Sequence, residues 1–275
     1  MRTLHNDLYP ELTSVLQRFV ARVEGALRNN FVGAYLVGSL ATGDFDLDSD
    51  VDFLVITKLE LCDAEVESLN AIHRDIHALG NYPAEHLEGS YLTAELLNRP
   101  DTVGVQPVWY VDNGSTSLER SVHDNRWHVR WILRERGIVM TGPEPNTLLP
   151  PISMEALRSE ASTSIQELAG RFLAEVGRSV GWFNTRFGQS FAVLTCCRML
   201  QTWSTGAVES KLSSVKWAEQ CLDPAWRGLI RGALAERRGI RYGETVRQPA
   251  DAGLINETAK FLAYAVSLVA SQEPA

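Results

Sequence analysis

Asp50 and Asp52, with Gly38-Ser39 upstream of them, are the residue types and spacing in this chain that could do chemistry. Each pair adjoins an apolar run. Phe31 to Val37 leads into Gly-Ser, and Val51 to Ile56 carries the second aspartate. The pattern reads as strand, Gly-Ser turn, loop, strand. Alternate residues of a strand project to one side, so Asp50 and Asp52 would point together. They could then share Mg²⁺, a hard cation that takes oxygen ligands and usually brings phosphate oxygens with it. Gly38 would let the backbone approach a phosphate closely, and Ser39 would add a hydroxyl donor. Metal-assisted phosphoryl or nucleotidyl transfer is the chemistry of such a set. The competing reading is one long strand, with Asp44, Asp46, Asp48, Asp50 and Asp52 as its acidic face. Like charges repel along a strand face, so a loop that ends near Ser49 is the less costly arrangement.

The elements that must position these residues follow from periodicity. Leu8, Leu12, Val15, Phe19, Val23 and Leu27 predict an amphipathic helix over about 8 to 28. After the two motif strands, Val66, Leu69, Ile72, Ile76 and Leu79 predict a helix from Asp63 to Leu79, with Gly80 as its stop. His73 and His77 share the i, i+4 spacing of zinc ligands, but the intervening Arg-Asp-Ile lacks the Glu of a metalloprotease helix. They read as a polar flank. His86 to Leu92 reads as the next strand, on which Glu88 is an awkward residue to carry into a core. Val103 to Val111, with Trp109 and Tyr110, reads as another strand, Ser121 to Gly137 as a helix, and Gly137 to Gly142 as a short buried strand. The dense Pro and Gly of residues 142–151 mark a domain boundary, giving domains 1–148 and 149–275. Beyond it helices are expected from Ser153 to Val176, Ser190 to Trp203, Ser214 to Leu222, Pro224 to Arg237 and Ala252 to Ser271, a bundle.

Composition sets the class. With 275 residues, 45% of them apolar and 22% charged, the chain can bury a full core or two. No apolar run is long enough for a membrane span and no signal pattern opens the chain, so a cytoplasmic protein without membrane partners is expected. Cys62, Cys196, Cys197 and Cys221 lack metal-ligand spacing and read as reduced, mostly core thiols. The net charge of −8 argues against a nucleic-acid partner, whose footprint would be basic.

Gly-Ser, ten residues and Asp-x-Asp resembles the signature of the DNA polymerase β-like nucleotidyltransferases. The stretch "YLVGSLATGDFDLDSDVDFLVIT" is most similar to the aminoglycoside nucleotidyltransferases that adenylylate streptomycin and spectinomycin. The resemblance implies an α+β fold: an N-terminal polymerase β-like nucleotidyltransferase domain with a mixed sheet, a C-terminal α-helical bundle, and the active site in the cleft between them. It implies ATP as co-substrate, Mg²⁺ on Asp50 and Asp52, and Ser39 and Ser49 on phosphate oxygens. The family's third carboxylate, the general base that deprotonates the acceptor hydroxyl, matches Glu88 and joins the metal set; Glu85 and Glu95 are the other candidates. Burial beside aspartates would raise its pKa, and Mg²⁺ would draw it down.

Downstream, "LTCCRML", Thr205-Gly206, Lys211 and Trp217-Ala218 keep the spacing of the helical domain of these adenylyltransferases. By that resemblance Arg198 and Lys211 would clamp the triphosphate, where charge develops as pyrophosphate leaves. An arginine among Leu194, Cys197, Met199 and Leu200 needs an anionic partner in any case; a structural pairing with Glu167 or Glu209 is the alternative. Trp182 and Trp109 are the candidate substrate-binding aromatics. The family's Tyr near the adenine falls at Arg237, with Tyr242 or Trp226 as possible replacements, and its drug-gripping acid falls near Gly188. A monomer that binds ATP and a small-molecule hydroxyl acceptor is expected. A different acceptor, a non-catalytic nucleotide-binding or antitoxin-like protein on the same fold, and a template-free polymerase are the rival readings.

Overall fold

A computed structural model describes residues 10–45, 49–176, 181–239 and 248–271. Leu8, Asp46, Asp48 and Tyr242 lie outside them. The chain divides into two compact units, Met1–Ile152 and Ser153–Ala275.

The N-terminal unit is built on a six-stranded mixed sheet. Helix α1 (Pro10–Leu27) leads into β1 (Phe31–Leu36), the short α2 (Gly38–Thr42), β2 (Val51–Thr57), α3 (Asp63–His77), α4 (Tyr82–Glu85) and β3 (Leu87–Thr93). Then come α5 (Ala94–Leu97), β4 (Val108–Val111), β5 (Glu119–Ser121), α6 (Trp127–Arg136) and β6 (Ile138–Thr141). The strand order is β5-β4-β3-β2-β1-β6; β2 and β3 run parallel, and every other neighbouring pair is antiparallel. The periodic residues of α1, from Leu12 to Leu27, are all buried, and with Leu69, Ile72 and Ile76 of α3 they cover one sheet face through Phe53, Val55 and Tyr91.

Four expectations are corrected here. His73 is no polar flank: it is 3% exposed, its Nε2 lies 2.9 Å from the Tyr91 hydroxyl, and its ring packs against Phe19 and Phe53. Residues 103–107 are not strand, because Gly104 N–H donates to Asn125 O and Gln106 N–H to Thr102 O, which turns the chain before β4 can begin. The helix expected from Ser121 begins only at Trp127. Before it, the Asn125 amide donates to the carbonyls of Thr102 and Gln106, and Asp124 accepts from Ser90; such side-chain bonds compete with helix. Residues 119–121 instead form β5. The last correction is β6, a half-buried edge strand against β1 rather than a buried one.

Five helices make up the described C-terminal unit: α7 (Met154–Glu175), α8 (Arg186–Thr205), α9 (Lys211–Cys221), α10 (Arg227–Gly239) and α11 (Ala252–Ser271). Helix α8 packs against all four of the others. Caps explain why α8 and α9 begin earlier than apolar spacing indicates: Thr185 Oγ1 accepts from Gly188 N–H and Ser210 Oγ from Ser213 N–H. Cys196 and Cys197 are core, whereas Cys62 and Cys221 are exposed.

Burial lowers the His73 imidazole from 6.5 to about 4. The unfolded chain therefore takes up this proton first. The stability that neutral His73 confers is complete above pH 6.5 and is lost as pH falls from there towards 4. Urea unfolding of His73→Gln should lose less stability across that window than the wild type; parallel curves would contradict it.

Candidate active site

The site begins with register. On the parallel pair β2–β3, Asp52 stands opposite Glu88, so the two carboxylates leave the same sheet face from strands about 4.8 Å apart. Alternation assigns the other positions. Ser90 shares the face of Glu88, and Tyr110 stands opposite Ser90 on β4. Phe53, Tyr91 and Trp109 belong to the other face, packed with α1 and α3. Trp109, expected to touch substrate, is thus on the helix-covered side, with the Arg120 guanidinium 5.0 Å from its ring centre. Its neighbour Tyr110 holds the place on the carboxylate face.

Glu88 is 14% exposed. Its Oε1 accepts from the Tyr110 hydroxyl at 2.6 Å and lies 3.4 Å from His123 Nε2, whose ring stacks on that of Tyr110. Burial raises its carboxyl from 4.5 to about 7; the Tyr110 bond opposes the rise, and the charges of Asp50, Asp124 and Asp112 add to it. Burial also holds Asp124 above the usual carboxylate range. Asp50 sits immediately before β2, where Asn113 Nδ2 donates to its Oδ1. Asn113 Oδ1 in turn is 2.8 Å from His86 Nδ1, which must carry the hydrogen of that bond.

Gly38-Ser39 opens α2 rather than forming a simple turn. Gly38 has φ +56°, and a Cβ there would lie 1.8 Å from Asp52 Oδ2. Val37 N–H donates to the Asp52 carbonyl at 3.0 Å, so the start of α2 is held against this aspartate. Ser39 Oγ is buried with no hydrogen-bond partner. Ser49, just before Asp50, is 4% exposed.

An oxygen-rich donor set, buried enough, with neighbouring carboxylates adding to the effect, to push a carboxyl up to about 7, fits a hard divalent cation, and the orphaned Ser39 hydroxyl fits a phosphate oxygen. Among the described residues, however, no three His, Cys, Asp or Glu are grouped around one ion position.

In the C-terminal unit, Arg198 is half-buried on α8 and Lys211 is the first residue of α9. Glu167, weighed as a partner for Arg198, is exposed. Trp182 is half-buried and makes edge contacts with Phe183, Phe187 and Phe191. A Cβ at Gly188 would lie 2.1 Å from the Trp182 carbonyl oxygen, so only glycine fits at that position; nearby, the Glu175 carboxylate accepts from Phe183 N–H at 3.1 Å. Trp226 is half-buried and packs on Phe261 and Tyr264 at the margin of the core. A cavity of about 460 Å³, lined by Arg186, Gln189, Glu236, Asp251 and apolar neighbours, includes none of the predicted residues.

Residues 20–95 match the family model described as "Nucleotidyltransferase domain", and residues 147–264 that described as "Aminoglycoside adenylyltransferase, C-terminal domain". The chain carries the two domains of an aminoglycoside adenylyltransferase-like nucleotidyltransferase. Among solved structures it is similar to a spectinomycin adenyltransferase from Enterococcus faecialis with ATP and spectinomycin. The TM-score is 0.68 and the identity 18%, over 93% of this chain and 99% of that one; at that identity the likeness shows a shared fold. A comparison with curated proteins found no match.

In this adenylyltransferase-like chain, sequence reasoning missed Tyr110, Asp112, Asn113 and His123. All four lie between the two matched regions. The one available signal was the two-residue period of β4, which sets Tyr110 rather than Trp109 on the face of Glu88.

Gly38 and Gly43 (φ +79°) both have left-handed backbones, but a Cβ at Gly43 meets nothing within 4 Å. Gly43→Ala should cost only backbone strain, about 1 kcal/mol. Gly38→Ala adds the collision with Asp52 and should cost about 3 kcal/mol. Equal unfolding midpoints would contradict the crowding at Asp52.

Proposed function

We propose that the protein transfers AMP from ATP to a hydroxyl of a small molecule, an aminoglycoside-type antibiotic of the spectinomycin and streptomycin kind, in a Mg²⁺-dependent reaction. The observation that carries this reading is the register of Asp52 against Glu88, with Asp50 at the head of β2 and the buried Ser39 hydroxyl next to Gly38, which abuts Asp52. The matched C-terminal family model and the fold of the spectinomycin adenyltransferase support the choice of acceptor class.

Asp50 and Asp52 would hold Mg²⁺, which when bound supplies positive charge for the phosphate oxygens. Ser39 donates its hydroxyl to a phosphate oxygen, Ser49 stands as a second donor, and Arg198 and Lys211 balance the triphosphate charge. Glu88 removes the proton from the acceptor hydroxyl. That oxygen then attacks the α-phosphorus, a new P–O bond forms, and the bond to pyrophosphate breaks with its electrons leaving on pyrophosphate. The proton ends on Glu88 and passes to solvent. A carboxyl raised to about 7 by its surroundings is a competent base near neutrality. Because the base works deprotonated, kcat/KM should fall on the acid side, with a limb at or below about pH 7 that bound cation moves lower.

A less cationic acceptor is the second reading, favoured by the Trp182 contact that admits no side chain at Gly188 itself.

Asp50→Ala and Asp52→Ala should each abolish pyrophosphate release while leaving thermal unfolding near the wild type. Near-full activity in either would remove that residue from the site. Glu88→Gln should lower kcat by roughly 10²- to 10⁴-fold and still bind ATP by calorimetry; unchanged turnover would move the base elsewhere.

A further inference from the structure

Glu88 has two carboxylate oxygens, and they are not equivalent. Its contacts among the described residues, the Tyr110 hydroxyl at 2.6 Å and His123 Nε2 at 3.4 Å, both fall on Oε1. The two donors form a single unit: their rings stack with centroids 4.9 Å apart and an interplanar angle of 22°. Tyr110 is itself fixed, 3% exposed and hydrogen-bonded through its strand between β3 and β5. A phenylalanine would fill the same place on the sheet. What the hydroxyl adds is a bond to a carboxylate, and such charge-assisted bonds are short and directional.

We infer that Tyr110 is a positioning residue for Glu88, holding Oε1 so that Oε2 is the oxygen presented to the acceptor hydroxyl. Asp112 Oδ1 lies 2.9 Å from the same phenol. A phenol has one proton to give, and the shorter contact makes Glu88 its main acceptor. Without that bond the carboxylate could rotate about its last torsion, which is broad and roughly two-fold, and would be pushed by Asp50, Asp112 and Asp124, the charges that face it. A general base must lie within hydrogen-bond reach of the proton it takes, and misplacement costs rate rather than nucleotide affinity. The inference rests on the proposed role of Glu88 as base.

The test is a double-mutant cycle on AMP transfer, read as kcat and KM for ATP. Tyr110→Phe should lower kcat by roughly 10- to 100-fold, as loss of a hydrogen bond to a charged group does, with KM for ATP and thermal unfolding close to the wild type. In a Glu88→Gln background the same change should cost almost nothing further, since no base remains to be positioned. An undiminished kcat for Tyr110→Phe overturns the inference. So does an equal loss in both backgrounds, which would mark a structural role. Absence of turnover in the wild type with any acceptor is a different result: it overturns the proposed reaction, and the role of Tyr110 with it.

Discussion

Carboxylates that repel one another are held on one face of a sheet, and much of the N-terminal unit follows from that constraint. The parallel register of β2 and β3 sets Asp52 opposite Glu88, and Asp50, Asp112 and Asp124 are near enough to raise Glu88 further. Such a cluster is unfavourable in an apolar setting and favourable around a cation. The fold sustains it from the other side of the sheet, where Phe53 and Tyr91 anchor the same two strands to α1 and α3 through Phe19 and His73. Apolar burial behind the strands stabilises the register, and the register fixes the charges in front. Gly38 is the point where the two demands meet, since any side chain there would displace Asp52.

Most of this was legible in the sequence because it is written in local pattern. The helical spacing of Leu12 to Leu27, the apolar strands around Gly38-Ser39 and Asp50-x-Asp52, and the leucine before Glu88 each carry their element by themselves. Two of the errors share an origin. Residues 103–126 are organised by long-range polar bonds, with Asn125 reaching Thr102 and Gln106 and Asp124 reaching Ser90. Nothing in a hydrophobic period reports such bonds, so a strand was drawn too long and a helix too early. The same stretch supplies Tyr110, Asn113 and His123, which bond or face Glu88 and Asp50 and were missed for the same reason. The two-residue period of β4 sets Tyr110, and not Trp109, on the face of Glu88.

In the C-terminal unit the helices were legible from apolar spacing, and their starts were decided by Thr185 and Ser210 as caps. The departure at Gly188 has a steric basis. The first turn of α8 lies so close to the Trp182 carbonyl that only glycine fits, and Phe187 and Phe191 flank that tryptophan. Beside it the Glu175 carboxylate accepts from Phe183 N–H.

The most direct measurement is Mg²⁺-dependent pyrophosphate release from ATP in the presence of spectinomycin, streptomycin and unrelated alcohols, with mass spectrometry of the acceptors. Release that requires both Mg²⁺ and one of the two antibiotics, with AMP found on the drug, is the predicted result. ATP binding with no release on any acceptor, or release that persists when both Asp50 and Asp52 are replaced, would contradict the carboxylate face as the centre of the reaction.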